Sequence, residues 1–197
     1  IIEEARAALM SPGVGELQDD RHALRTGDQV LLAIVNDLVL ARDLVQAAHG
    51  RGLKALVALG GVDGLSLARA YRPDAIALDM DTPMVEGWSF FDRLKRDPRI
   101  RHVPVLLLAA PIDRREARRR GAFSVLCKPV HGVELEAAVD RLAAFLERPW
   151  RRLVLCEADE TERRAIQALL WGDDLEITPV ASAGELLGLL DQSRFDC

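Results

Sequence analysis

The strongest constraint on the fold comes from three short apolar runs that each end in polar or charged residues. The first run ends at Asn36-Asp37, the second at Asp79 and the third at Lys128-Pro129. Short apolar runs bounded by proline and glycine loops are typical of buried strands in a parallel sheet. Open sheets of this kind bind their ligands at the carboxyl ends of the strands. We therefore predict that two carboxylates and one ammonium group meet at one edge of the sheet.

Asp79 is the most informative of these residues. It closes the apolar run of residues 75–78 and opens a loop at residues 80–87 that contains proline and glycine. A lone charged residue at the end of a strand is most often exposed and without a special role. Here the same placement recurs after three separate runs, and agreement between independent features favours a common site.

The predicted group of side chains suits phosphoryl transfer with a magnesium ion. Mg²⁺ is usually held by one or two carboxylates, with waters and phosphate oxygens in the other positions. Asp37 and Asp79 could supply those carboxylates. Carboxylates are also nucleophiles in phosphoryl transfer, and the ammonium group of Lys128 could neutralise a phosphoryl group on Asp79.

Residues 28–147 closely resemble the receiver (CheY-like) domain of two-component signalling. Strands and helices alternate through this region, as in a parallel sheet covered by helices. The stretches that carry the resemblance are residues 30–37, 72–88, 102–105 and 121–129. The resemblance implies a flavodoxin-like (βα)5 doubly wound parallel sheet with strand order 2-1-3-4-5.

The resemblance also implies a role for each site residue. Asp79 would be the phosphoacceptor and would bind Mg²⁺ together with Asp37. Asp81 would bind the metal through its backbone carbonyl, and Asn36 would bind it weakly or through a water. Lys128 would contact the phosphoryl group, aimed by a cis peptide bond before Pro129. The chain would then act as a receiver domain in a phosphorelay and not as an enzyme.

Three positions depart from the family pattern. Asn36 replaces the first of two usual acidic residues, which weakens metal binding without abolishing it. Ala109 replaces the Thr or Ser whose hydroxyl binds the phosphoryl group, and Val125 replaces the aromatic residue that moves with it. A hydrogen bond to a charged group contributes about 1.5–3 kcal/mol, so the usual switch loses its main coupling. Phosphorylation without the ordinary conformational response is therefore expected.

Composition favours a cytoplasmic protein. The chain has 197 residues, a net charge of −5 and three cysteines without metal-type spacing. The acidic balance argues against nucleic acid as a partner, and no apolar run approaches the ~18 residues of a membrane span. Reduced thiols are typical of a cytoplasm, and Cys127 and Cys156 in predicted strands are expected to be buried.

The sequence after Pro149 repeats the beginning of the receiver. Asp159 follows an apolar run as Asp37 does, and the two residues are 122 positions apart; Asp74 and Asp196 have the same spacing. Asp159 and Glu157 would form the acidic pocket of this second copy. By this spacing its phosphoacceptor position falls after Cys197.

We therefore predict four segments: a linker from an upstream kinase-type domain at 1–27, a receiver at 28–147, a linker at 148–151, and the first part of a second, truncated receiver at 152–197. Tandem receivers after such a linker resemble the arrangement in hybrid sensor histidine kinases. A histidine kinase or a histidine phosphotransfer domain would be the partner. A half-receiver exposes apolar surface and a strand edge, so a homodimer near residues 195–197 is expected.

Two other functions remain open. The chain could be a pseudo-receiver, a protein interaction module that works without phosphorylation; the residues that favour this are Asn36, Ala109, Val125 and Ala158. The sequence Asp79-Met80-Asp81 also resembles the nucleophile loop of haloacid-dehalogenase-type phosphatases, with residues 172–174 as a downstream motif. The complete β-α-β-α unit before Asp79 makes that alternative remote.

Overall fold

The computed structural model describes residues 19–81, 87–130, 132–148, 151–170, 175–193 and 195–196. The chain divides into two compact units, the first ending at Leu146 and the second beginning at Glu147. The two units differ in size and in the number of strands, so each is described by itself.

The first unit contains a parallel sheet of five strands. The strands are β1 (Val30–Ile34), β2 (Lys54–Ala58), β3 (Ala75–Asp79), β4 (Val105–Ala109) and β5 (Ser124–Cys127). Their order across the sheet is β2-β1-β3-β4-β5, which confirms the predicted flavodoxin-like fold. Every residue of β1, β3 and β4 is buried, as expected for strands covered on both faces.

Helices cover both faces of this sheet. They are α1 (Leu38–His49), α2 (Gly61–Tyr71), α3 (Trp88–Arg96), α4 (Arg114–Arg119) and α5 (Gly132–Leu146). One core cluster includes Leu32, Phe91 and Leu107, and the other includes Leu31, Leu44 and Leu142. Across the described residues, no helix has the length and apolar character needed to cross a membrane.

The second unit is a partial copy of the first. It contains a parallel pair of strands, β6 (Arg151–Cys156) and β7 (Leu175–Val180), with helices α6 (Glu160–Leu170) and α7 (Ala183–Gln192). The hydroxyl of Ser182 accepts a hydrogen bond from the Glu185 N–H at 3.2 Å, and the Glu185 carboxylate accepts from the Ala181 N–H. This is close to the capping-box arrangement, in which the two residues cap the helix reciprocally.

The same hydrogen bonds recur at corresponding positions in the two units. The Asp74 N–H donates to the Val30 carbonyl at 2.9 Å, and its carboxylate accepts from the Val30 N–H at 2.7 Å. In the second unit, Asp196 forms the same two bonds with Arg152, at 2.7 and 2.9 Å. The 122-residue repeat is therefore present in local geometry as well as in sequence.

Two expectations differ from the structure. Cys156 is exposed and Cys127 only half-buried, because the two-stranded sheet provides little cover and β5 is an end strand. Residues 19–21, expected in a linker, form hydrogen bonds with the outer edge of β2. These contacts join residues nearly forty positions apart, which local composition does not reveal.

Candidate functional site

Asp79 lies at the carboxyl end of the central strand of the first unit. β3 pairs with β1 on one side and with β4 on the other, so the site has strand ends on both sides. Asp79 is buried, with 3% of the whole residue exposed. A buried carboxylate needs hydrogen bonds or an opposite charge, because its desolvation is costly.

Lys128 supplies that charge. It follows β5, where its N–H donates to the Ala109 carbonyl at 2.8 Å and its peptide bond to Pro129 is cis. Its Nζ lies 2.6 Å from Oδ1 of Asp79 and 3.0 Å from Oδ2 of Asp81. Partial burial alone would lower the pKa of Lys128, but hydrogen bonds and charge from the two carboxylates hold it above its ordinary value.

The two oxygens of the Asp79 carboxylate differ in their contacts. Oδ1 accepts from Lys128 and also from the Asp81 N–H at 3.0 Å. No hydrogen bond reaches Oδ2 from the parts of the chain that the structure describes. This oxygen is therefore available for a metal ion or for attack on an electrophile, while Oδ1 fixes the orientation of the group.

Asp37 lies at the carboxyl end of β1, the strand next to β3. It is exposed, like Asn36, and its Oδ1 accepts from the Val39 and Leu40 N–H groups at 2.8 and 3.4 Å, which caps α1. Parallel neighbours end at the same edge of the sheet, so Asp37 and Asp79 belong to one strand-end face. The second oxygen of Asp37 is not needed for the cap.

The oxygen ligands at this face suit Mg²⁺ better than a metal that is bound by three or more side chains. Within the described ranges, no three His, Cys, Asp or Glu side chains gather into a metal-binding group. Mg²⁺ usually keeps several waters and takes only one or two carboxylates, so a group of three is not required. Asp79, Asp37 and the backbone carbonyl of Asp81 are all oxygen donors of the appropriate hardness.

The two altered switch positions are buried in one core cluster. Ala109, at the end of β4, is 2% exposed and Val125, within β5, is 7% exposed. Neither side chain carries a hydrogen-bonding group. A phosphoryl group on Asp79 would therefore find no hydroxyl at position 109.

The acidic residues of the second unit have different surroundings. Asp159 caps α6 by accepting from the Thr161 and Glu162 N–H groups at 2.8 and 2.9 Å. Glu157 accepts from the Asp159 N–H at 3.0 Å. The described residues of this unit provide no counterpart of Asp79 or Lys128 beside them.

Sequence reasoning missed the side chain of Asp81, to which it assigned only a carbonyl role. Its carboxylate shares Lys128 with Asp79. The spacing of two residues between Asp79 and Asp81 is the signal that could have revealed this pairing. Residues 172–174, the proposed downstream phosphatase motif, lie outside the described residues.

Known proteins are similar to this chain in sequence. The profile of the response regulator receiver domain family matches residues 32–140. The transcriptional regulatory protein AfsQ1 of Streptomyces coelicolor is 31% identical over 167 residues, which are 83% of this chain and 71% of that protein. The polar-differentiation response regulator DivK of Brucella anthropi is 33% identical over 97 residues, which are 48% of this chain and 76% of DivK.

A solved structure is similar to this chain in its fold. The signal receiver domain of a signal transduction histidine kinase from Syntrophus aciditrophicus is 27% identical, with a TM-score of 0.52. The match covers 61% of this chain and 93% of that domain. The sheet order, the strand-end site and the family profile together define a two-component signalling domain. The chain belongs to the response regulator receiver domain family, and this membership leaves the phosphatase alternative without support.

Proposed function

We propose that the first unit is the phosphoacceptor receiver of a two-component phosphorelay and that Asp79 accepts the phosphoryl group. The observation that carries this proposal is the buried Asp79 carboxylate with Lys128 2.6 Å from its Oδ1. Ion pairs at surfaces contribute little to stability. An aspartate at a strand end is suited to chemistry when it is oriented through Oδ1 and its Oδ2 accepts no hydrogen bond from the described residues.

In the proposed step, Oδ2 of Asp79 attacks the phosphorus of a phosphohistidine. The new P–O bond forms as the P–N bond breaks, and the imidazole leaves with the electron pair of that bond. Lys128 faces the growing negative charge, which its raised pKa keeps it able to do across the neutral range. The partner that donates the group would be a histidine kinase or a histidine phosphotransfer domain.

Mg²⁺ would be held by Asp37, Asp79 and the carbonyl of Asp81, with Asn36 bound through a water. When bound, the ion would neutralise charge on the phosphoryl oxygens. The residues of the chain have a separate role: Asp79 supplies the nucleophile, and Asp37 keeps a second carboxylate at the same face. Asn36 contributes an amide oxygen and no charge.

Intact-mass measurement after incubation with acetyl phosphate and Mg²⁺ tests the proposal. We expect slow addition of one phosphoryl group in the wild-type chain and none in Asp79→Asn. Asp191→Asn is the matched control, because Asp191 is an exposed carboxylate of α7 in the second unit. An unchanged mass, with acetyl phosphate and with a cognate kinase, would exclude Asp79 as phosphoacceptor.

A phosphorylation-independent pseudo-receiver is the second candidate, favoured by the buried side chains of Ala109 and Val125. The test is Ala109→Thr, which restores a hydroxyl at the end of β4. With beryllofluoride as the phosphoryl mimic, we expect larger NMR shifts at Val125 and α4 in the variant than in wild type. Equal shifts in both proteins would show that position 109 does not limit the response.

We further propose that the chain is part of a cytoplasmic hybrid sensor histidine kinase with receivers in tandem. The repeated bonds of Asp74 and Asp196 support a second receiver after the first. Exposed leucines of the second unit, such as Leu169 at 84%, support association through this unit into a homodimer. Phosphorylation of the longer protein by labelled ATP tests the kinase, and light scattering tests the dimer.

A further inference from the structure

The outer edge of the five-stranded sheet is formed by β2. This strand pairs with β1 on one side only. The Lys54 N–H donates to the Gln29 carbonyl at 2.8 Å, and the Ala58 carbonyl accepts from the Val35 N–H at 3.0 Å. Backbone groups alternate in direction along a strand, so Ala55 and Val57 direct their N–H and C=O groups to the outer edge. An open edge of this kind is a template for strand addition.

Residues 19–21, here called the strap, satisfy all four of these outward groups. Asp20 donates its N–H to the Ala55 carbonyl at 2.9 Å, and its Oδ2 accepts from the Ala55 N–H at 2.8 Å. Oδ2 of Asp19 accepts from the Val57 N–H at 3.1 Å, and Nη2 of Arg21 donates to the Val57 carbonyl at 3.0 Å. The strap therefore occupies the edge as a neighbouring strand would.

Charged neighbours hold the strap in this position. Asp19 is paired with Arg21 at 2.7 Å and its side chain is 3% exposed. Asp20 lies 2.7 Å from Nε2 of His49 and 3.4 Å from Nζ of Lys54. Burial opposes the charge on Asp20, but the hydrogen bonds from Ala55 and His49 and the charge of Lys54 hold its pKa below the ordinary value. The Asp20 carboxylate is thus available as a strong acceptor.

The second unit protects the corresponding edge in another way. Pro179 in β7 pairs with Leu155 of β6 as Val57 pairs with Ala33, and the residues correspond at the 122-residue spacing. Proline has no N–H, so this outward position carries no donor. Proline on edge strands is a known defence against edge-to-edge pairing. The strap at Val57 and the proline at position 179 thus protect corresponding positions of the repeat. This indicates that an unprotected edge would pair with another strand.

We propose that the β2 edge is a docking surface for a second copy of this chain and that the strap keeps it closed. A two-fold axis at Leu56 would place Ala55 opposite the partner's Val57, and Val57 opposite the partner's Ala55. Residues opposite each other in such an antiparallel pair exchange both backbone bonds, giving four in all. The strap supplies the same number to the same groups. Strap and second copy therefore compete, and displacement of the strap opens the edge.

The test compares the full-length wild-type chain with the Asp19→Ala/Asp20→Ala variant. Hydrogen exchange should show a loss of protection at the Ala55 and Val57 amides of the variant at low concentration. Light scattering should then show a greater dimer fraction in the variant, rising with concentration, with the two amides protected again in the dimer. Two controls separate this from other effects. Asp43→Ala/Asp191→Ala removes two exposed carboxylates elsewhere and should match wild type. Asp19→Asn/Asp20→Asn keeps the side-chain acceptors but loses the charge beside Arg21 and Lys54, so its exchange and dimer fraction should lie between those of wild type and the double alanine variant.

Each other result overturns the proposal. Unchanged exchange at Ala55 and Val57 would show that the strap does not protect the edge. Exposed amides without a rise in dimer fraction would show that the edge does not accept a second copy. If the double alanine variant does not fold, Asp19→Ala and Asp20→Ala separately release one amide each and give the same comparison.

Discussion

The two units share one local plan and differ in how much of it is buried. In both, a strand leads to a helix capped by an aspartate, Asp37 in the first unit and Asp159 in the second. The first unit buries Leu44 and Ala48 of α1, whereas α6 and α7 have no buried residue among those described. Capping and strand pairing are satisfied within a few residues or between two neighbouring strands. Burial requires the whole sheet.

The difference also explains where the chemistry lies. Asp79 is buried where strands flank it on both sides, as β1 and β4 do. The second unit presents its acids Glu157 and Asp159 beside a pair of strands, where Asp159 remains exposed. The motif that the two units share therefore yields an exposed helix cap in each, at Asp37 and Asp159, whereas the buried, charge-paired site lies at Asp79 of the first unit.

The largest expected effect comes from truncating one side chain in each unit and comparing the changes in the free energy of unfolding. Phe91 of α3 is fully buried, and Phe91→Ala should lower the free energy of unfolding by about 3–5 kcal/mol. Leu187 of α7 is 63% exposed, and Leu187→Ala should change it by no more than about 0.5 kcal/mol. Urea unfolding followed by circular dichroism measures both. Comparable losses would mean that the second unit has a core of its own.

Burial of Lys95 in the first unit should also make the free energy of unfolding depend on pH. Burial lowers the pKa of Lys95 from 10.5 to about 8, while its Nζ donates to the Val103 and Arg101 carbonyls at 2.8 and 3.3 Å. Between these two pKa values the unfolded chain binds more protons than the folded one, so stability should rise with pH.

Urea unfolding at several pH values between these limits should show this rise in wild type and in Lys54→Met. Lys95→Met should lack it. Lys128 does not interfere, because its pKa is raised and its contribution is lost only above its ordinary value of 10.5. A rise that survives in Lys95→Met would assign the effect to another group.

Helix capping should show equal effects in the two units. Asp37→Ala and Asp159→Ala each remove an N-cap, at a cost of about 1 kcal/mol. The loss should appear in global unfolding for the first unit and as faster hydrogen exchange in α6 for the second. Asp37→Asn and Asp159→Asn keep the acceptor and should restore most of the stability. A much greater loss in Asp37→Ala, in metal-free buffer, would give Asp37 a structural role beyond the cap.

The smallest expected effect concerns the strand edge of the second unit. Pro179→Val adds an outward N–H to β7 and should change the free energy of unfolding by less than about 0.5 kcal/mol. Its self-association, followed by analytical ultracentrifugation, should increase because the edge gains an unpaired donor. Leu187→Ala serves as the control at an exposed site away from the edge. If Pro179→Val does not change self-association, Pro179 does not protect its strand edge as the strap is proposed to do for β2.

Much of the fold and of the site could be predicted from the sequence. The apolar runs located the strands because a strand buried on both faces needs a continuous run of such residues, as in residues 75–78. The polar residue after each run marked the strand ends. The spacing of 122 residues revealed the repeat, whose hydrogen bonds at Asp74 and Asp196 follow the same pattern.

The rest could not be predicted because it depends on residues far apart in the chain. The contact of Lys128 with Asp79 spans 49 positions, and that of Asp19 with Val57 spans 38. A polar segment such as residues 19–21 has a linker composition whether it is free or bound to an edge. Likewise, Cys127 and Cys156 both follow apolar residues, yet Cys127 is half-buried at the end of the edge strand β5 and Cys156 is exposed in the two-stranded sheet.

The sequence by itself therefore determined the elements and the strand-end position of Asp79, because each depends on residues within one strand or helix. It also determined the partial repeat, through the spacing of 122 residues. Tertiary structure alone decided that Oδ1 of Asp79 is held by Lys128 and Asp81, whereas Oδ2 receives no hydrogen bond from the parts of the chain that are described. It also decided that the strap covers β2. The physical reason is that buried charges and strand edges are satisfied by whichever groups the strand order brings near them.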